Sequence, residues 1–152
     1  MSVLKMHRTE SKAEFVNTAN EIFKETLQFL SRLSSRYSRL LASDVIRLAS
    51  EVLDNAEKAN NIYPSDEKRL ELRKVHLLEA RAALMALDVH MAHCYEVMML
   101  NPQGCFSTAS GKEVPPGEAV KRLDHMAQSL GEKIDKENNL LTNVLKSDRA
   151  RS

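Results

Sequence analysis

Residues 66–101, DEKRLELRKVHLLEARAALMALDVHMAHCYEVMMLN, decide the fold. Leu70, Leu77, Leu84, Met91 and Met98 recur every seven residues, and Arg73, Ala80, Leu87 and Cys94 fill the interleaved row. Such spacing belongs to one face of an α-helix, because 3.6 residues per turn bring positions three and four apart to the same side. A flanking row of Leu78, Met85, Ala92 and Met99 widens the apolar face beyond a two-stranded seam, which predicts contact with more than one neighbouring helix. Ser65 offers an N-cap, Asp66 and Glu67 suit the positive end of a helix dipole, and Asn101-Pro102 stops the helix.

The same periodicity extends in both directions. Phe15, Ala19, Ile22, Thr26, Phe29 or Leu30, and Leu33 form one face of a first helix over about residues 11–33, with Ser11 and Glu14 at capping-box spacing. Ser34 and Ser35 predict a break. Leu41, Val45, Leu48, Val52, Ala56 and Ala59 then mark a second helix over 36–60, closed by Asn60, Asn61 and Pro64. Residues 102–116 read as the main loop, and the stretch 102–117 holds three of the four prolines and three of the four glycines. Val120, Ala127, Ile134 and Leu141, interleaved with Leu123, Leu130 and Val144, give a last helix over 117–146. Residues 1–10 and 147–152 read as flexible ends. The expectation is an all-α chain: an antiparallel up-down four-helix bundle spanning 11–146.

Composition supports this reading. A chain of 152 residues with 43% hydrophobic and 28% charged residues suits one globular domain, and 5% aromatics with four glycines argue against a β-rich one. Net charge is +1, so any site for polyanions must be a local patch. No apolar run reaches the roughly 18 residues a membrane span needs, and MSVLKMHRTE has no signal-peptide core. With two cysteines and no disulfide framework, the cytoplasm is the expected compartment.

Motifs for chemistry are sparse. Asp88, His90, His93 and Cys94 form the most metal-like group, but a structural zinc needs four ligands, and Cys105 and His125 are isolated. The di-iron pattern of paired Glu-x-x-His is missing, and no glycine elbow, nucleophile triad or phosphate-binding Gly loop is present. The expectation is a protein without a cofactor and without enzymatic activity.

Basic residues carry the functional signal. Arg32, Arg36, Arg39 and Arg47 stand against Asp44 alone over residues 32–47, with Tyr37 among them. Arginine pairs bidentately with phosphate and tyrosine stacks on unpaired bases. A second cluster, Lys68, Arg69, Arg73, Lys74 and Arg81, is diluted by Glu67, Glu71 and Glu79. The candidate nucleic-acid-binding residues are Arg32, Arg36, Tyr37, Arg39, Arg73, Lys74 and Arg81; the structural alternative is a solvated helix surface. Arg73 sits on a core row, so it needs a partner or an edge.

Several short stretches resemble a bacterial four-helix-bundle family, that of the accessory variability determinant of diversity-generating retroelements and the proteins of ribosomal RNA intervening sequences. Leu33-Ser34-Ser35-Arg36-Tyr37 stands where members carry a Phe-Pro-Lys-Arg-Tyr-like break, here without the proline. AEKANNIYP ends the second helix like the family's Ala-Asn signature, at Ala59-Asn60, and Arg73 and Ala80 match an arginine followed by a small residue. The resemblance covers about residues 11–100, and the tryptophans often found in the family's fourth helix are missing. It implies a non-enzymatic partner of a reverse transcriptase, a barrel-shaped pentamer that binds the transcriptase and its RNA or DNA through basic surfaces, with Arg36, Tyr37, Asn60 and Arg73 at matching positions. The competing class is a protein-interaction adaptor that uses the apolar side of helix 3 and the stretch Met91 to Met99.

Overall fold

A computed structural model describes residues 2–7, 11–107 and 110–151. Of the stretches read as flexible or looped, residues 1, 8–10, 108, 109 and 152 lie outside the described residues. The chain is all-helical, with no strand among the described residues: α1 Glu14–Leu30, α2 Ser35–Asn60, α3 Glu67–Met98 and α4 Pro116–Arg149, with a short 3-10 turn at Gln103–Phe106. The helices pack in a ring, α1 on α2, α2 on α3, α3 on α4 and α4 back on α1. Among the described residues no helix is long and apolar enough to cross a membrane.

Local chemistry explains the boundaries. Ser34 caps α2 by accepting from the Tyr37 backbone N–H at 3.5 Å, which places the break where the two serines predict it. Two predicted caps are replaced. Asp66, not Ser65, caps α3 by accepting from the Arg69 N–H at 2.9 Å, a bond that holds its carboxyl below the usual carboxylate range. At α1 the capping box does not form. The Asn17 side chain instead accepts from the Ser11 N–H at 2.7 Å and donates to the Ser11 carbonyl at 2.8 Å, clamping the chain before the helix.

Every helix buries the face its spacing marks. Ile22, Phe29, Val45, Val52, Leu77, Leu84, Leu87, Leu123 and Leu141 lie in one core. Ala49, Ala56 and Ala59 of α2 and Ala80 and Ala83 of α3 are also buried, and such small side chains let two helices approach closely, which accounts for the extensive α2–α3 contact. The flanking row of α3 departs from expectation: Leu78 and Met85 are each 45% exposed and Ala92 is exposed. α3 does contact two neighbours, α2 and α4, as its width predicts, but this flanking row is not the part they cover.

The expected polar tail begins as helix. α4 continues to Arg149, and Asp148 is buried. Arg73 donates from Nε to Asp148 Oδ2 at 2.6 Å, and from Nη1 to the carbonyls of Ala59 at 3.0 Å and Ile62 at 3.3 Å. This joins the end of α2, the start of α3 and the end of α4. Breaking one side of a buried pair leaves an uncompensated charge. Asp148→Ala is expected to cost about 3 kcal/mol of unfolding free energy, read by urea denaturation. Arg73→Met combined with Asp148→Leu should recover most of it. A single variant as stable as the parent would refute the role of the pair.

Glu137 is a second buried ionisable group, and it has no partner among the described residues. It is 0% exposed and neither carboxylate oxygen has a hydrogen-bond partner. Burial raises its pKa from 4.5 to about 8, against a smaller opposing pull from Lys136. The folded state therefore holds this proton more tightly than the unfolded chain. Its stabilising contribution is complete below pH 4.5 and is lost as pH rises toward about 8. Glu137→Met should flatten stability between pH 5 and pH 8 and raise it at pH 8 by on the order of a few kcal/mol. A parent protein equally stable at both ends of that window would show that Glu137 does not titrate in this way.

Candidate nucleic-acid interface

The turn that joins α1 to α2 is held by backbone bonds from Arg32 N–H to Phe29 O at 3.0 Å and Leu33 N–H to Leu30 O at 3.1 Å. It leaves Arg32 exposed beside the 3-10 turn, whose Phe106 is buried. The Arg32 guanidinium lies 4.7 Å from the Phe106 ring centroid, and Arg122 of α4 lies 5.5 Å from the same centroid. A guanidinium over an aromatic face is attracted by the ring quadrupole, and its planar edge stays free to donate.

These groups open onto a cleft of about 700 Å³ at the start of α4, lined also by Gly117, Glu118, Lys121, His125 and Met126. Three permanent cations, Arg32, Lys121 and Arg122, face it against one carboxylate, Glu118, which accepts from Arg122 at 2.8 Å. α4 begins at Pro116 with no side-chain cap, so the positive end of its dipole adds to the field. The chemistry suits an anion with a flat apolar part, such as a nucleotide phosphate with its base.

The sequence candidates divide. Arg32 joins the cleft. Arg36 and Arg39 are exposed in the first turns of α2. Tyr37, expected to stack on a base, packs half-buried against the core and lines a separate cavity of about 240 Å³ with Val97, Met98 and Leu100. Arg73 is committed to Asp148 inside the fold, 14% exposed, and is removed from any nucleic-acid face. Asn60 is the last residue of α2 and donates to Ser11 Oγ at 3.4 Å. Lys74 and Arg81 line another groove of about 360 Å³ between α3 and the end of α4, and Arg81 also donates to Asn138 Oδ1 at 3.1 Å. The two clefts are separated by about 25 Å or more along α4, so the candidates do not form one patch.

Sequence reading missed Lys121 and Arg122 and weighed His125 only as an isolated metal ligand. They come from a helix with no local excess of basic residues, and only the folding of α4 against the α1–α2 turn brings them to Arg32. Their i, i+3 and i, i+4 spacing is the signal that was present.

The metal-like group does not converge. Cys94 is buried in the core while Asp88, His90 and His93 are exposed, and no three His, Cys, Asp or Glu among the described residues come together to hold a metal. Met91 and Met98 fill the core and Met99 is half-buried, so the methionine stretch is not an exposed docking strip. Burial pushes both thiols up, with Arg32 pulling Cys105 part of the way back. The chain matches no protein-family model, no curated protein and no solved structure. The reading of the cleft therefore rests on its own geometry.

The Arg32–Cys105 proximity is open to test. Iodoacetamide should modify Cys105 before the buried Cys94, and Arg32→Ala should slow the Cys105 reaction at neutral pH, because less thiolate forms without the nearby cation. An unchanged rate would place Arg32 away from this corner.

Proposed function

We propose that this chain is a non-enzymatic accessory protein that assembles with copies of itself and engages a reverse transcriptase and its RNA or DNA, with the Arg32 cleft as the nucleic-acid contact. The observation that carries the reading is the placement of Arg32 and Arg122 against Phe106, beside Lys121, in an open cleft. Phosphate contacts supply affinity and a guanidinium plane can stack on a base, and the arginines of this corner offer both. The resemblance at Leu33–Tyr37 and at Ala59-Asn60 supports the transcriptase part.

The proposal includes the antiparallel up-down arrangement of the helices. Cross-helix pairs support it, because partners descend along one helix as they ascend the other. Glu14 meets Lys136 while Glu25 meets Lys133 and Ser129. Arg73 meets Asp148, Arg81 meets Asn138 and Tyr95 donates to Asp124. His76 pairs with Asn55 while Arg73 reaches back to Ala59. In such a bundle the α1–α2 turn and the start of α4 share one end, which is where the cleft lies.

Fluorescence anisotropy with a labelled single-stranded RNA across a salt series tests the reading. Binding should weaken steeply with salt. Arg32→Ala and Lys121→Ala should each reduce the log–log slope by about 1, while Arg47→Ala, in an exposed ion pair with Glu51, leaves it unchanged. Absence of salt-dependent binding, or equal loss in all three variants, would overturn the assignment of the cleft.

A further inference from the structure

α3 carries two apolar faces, and only one belongs to the core. On the outer side Val75, Leu78, Ala82, Met85, Val89 and Ala92 are all exposed, Val75, Leu78 and Met85 at 45% and Val89 at 56%. Their spacing alternates three and four, which is the repeat of a coiled-coil seam. It occupies the middle of a helix whose core face is already satisfied by Leu77, Leu84 and Leu87. Glu71 and Glu96 stand at the next seam positions on either side and bound it.

We infer that this stripe pairs with the same stripe of a second copy, the two α3 helices running antiparallel about a two-fold axis. Size and charge together select that occupant and that register. Antiparallel packing centred between Ala83 and Leu84 sets Val75 against the partner's Ala92, Leu78 against the partner's Val89 and Ala82 against the partner's Met85, so each small side chain meets a larger one. Parallel packing sets Ala82 and Ala92 each against its own copy and leaves gaps in two layers. A slip of one heptad brings Glu71 or Glu96 into the seam.

The flanks agree. On the α4 side of the seam the register places Arg81 beside the partner's Asp88, twice by symmetry. Among the described residues Asp88 has no cation at ion-pair distance in its own chain, while Arg81 uses Nε on Asn138 and keeps its other nitrogens. A symmetric contact of this kind closes at two copies. The seam is about 26 Å long, at the small end of interfaces, so a micromolar Kd is expected. The inference rests on the self-association part of the proposed function, gives it two copies where the resemblance implies five, and is independent of nucleic-acid binding.

Sedimentation velocity on the full chain, with circular dichroism to verify helicity, is the test. The parent should be dimeric at high micromolar concentration. Arg81→Asp and Asp88→Arg alone should each weaken pairing about tenfold or more, because each sets like charges face to face. An equimolar mixture of the two variants should pair again, since every facing couple is then opposite in sign. Met85→Lys, at an exposed position, should give a folded monomer. A parent that stays monomeric, a mixture that does not pair, or a five-copy ring indifferent to all three variants would overturn the inference. RNA binding lost with pairing intact would sink the cleft reading and leave this one standing.

Discussion

The end of this bundle that holds Asp148 depends on one arginine. Arg73 stands on a core row of α3, where a charge is tolerated only with partners, and it has them in Asp148 and the carbonyls of Ala59 and Ile62. The carbonyls belong to the closing turn of α2, whose last acceptors have no partner within their own helix. One side chain thus satisfies the end of one helix and neutralises the carboxylate of another. That is why α4 stays ordered to Arg149 through a stretch that reads as polar tail.

The opposite end is organised differently. Phe106 gives the 3-10 turn an apolar anchor in the core, and the ring also holds Arg32 and Arg122 in place. Cations from the α1–α2 turn and from α4 are gathered around one aromatic ring, with no buried charge required. One end spends an arginine on stability; the other presents arginines to solvent. The residue type is the same, and the burial of its neighbourhood decides which role it takes. Glu137 lies between these cases, fully buried with no partner among the described residues, and the cost of a charge there is relieved by holding its proton.

Most of the helical pattern was legible in the chain. The rows Leu77–Leu84–Met91–Met98 and Ala80–Leu87–Cys94 are buried as their spacing requires, and the break at Ser34–Ser35 falls where serine competes for backbone groups. Caps were less legible. Ser65 and Asp66 are both good caps by residue type, and the structure gives the role to Asp66. The candidate site was legible only at Arg32. Tyr37 packs half-buried beside a separate cavity and Arg73 is committed to Asp148, and Lys121, Arg122 and His125 lie some ninety residues away from Arg32 in sequence.

The sequence by itself determined the helices and their inward faces, because periodicity and local backbone chemistry act within a few residues. Tertiary structure alone decided which arginines are free, which apolar row of α3 stays outside, and which cations share a cleft. Those outcomes depend on partners far apart along the chain, and neither burial nor electrostatic pairing exists until the helices meet.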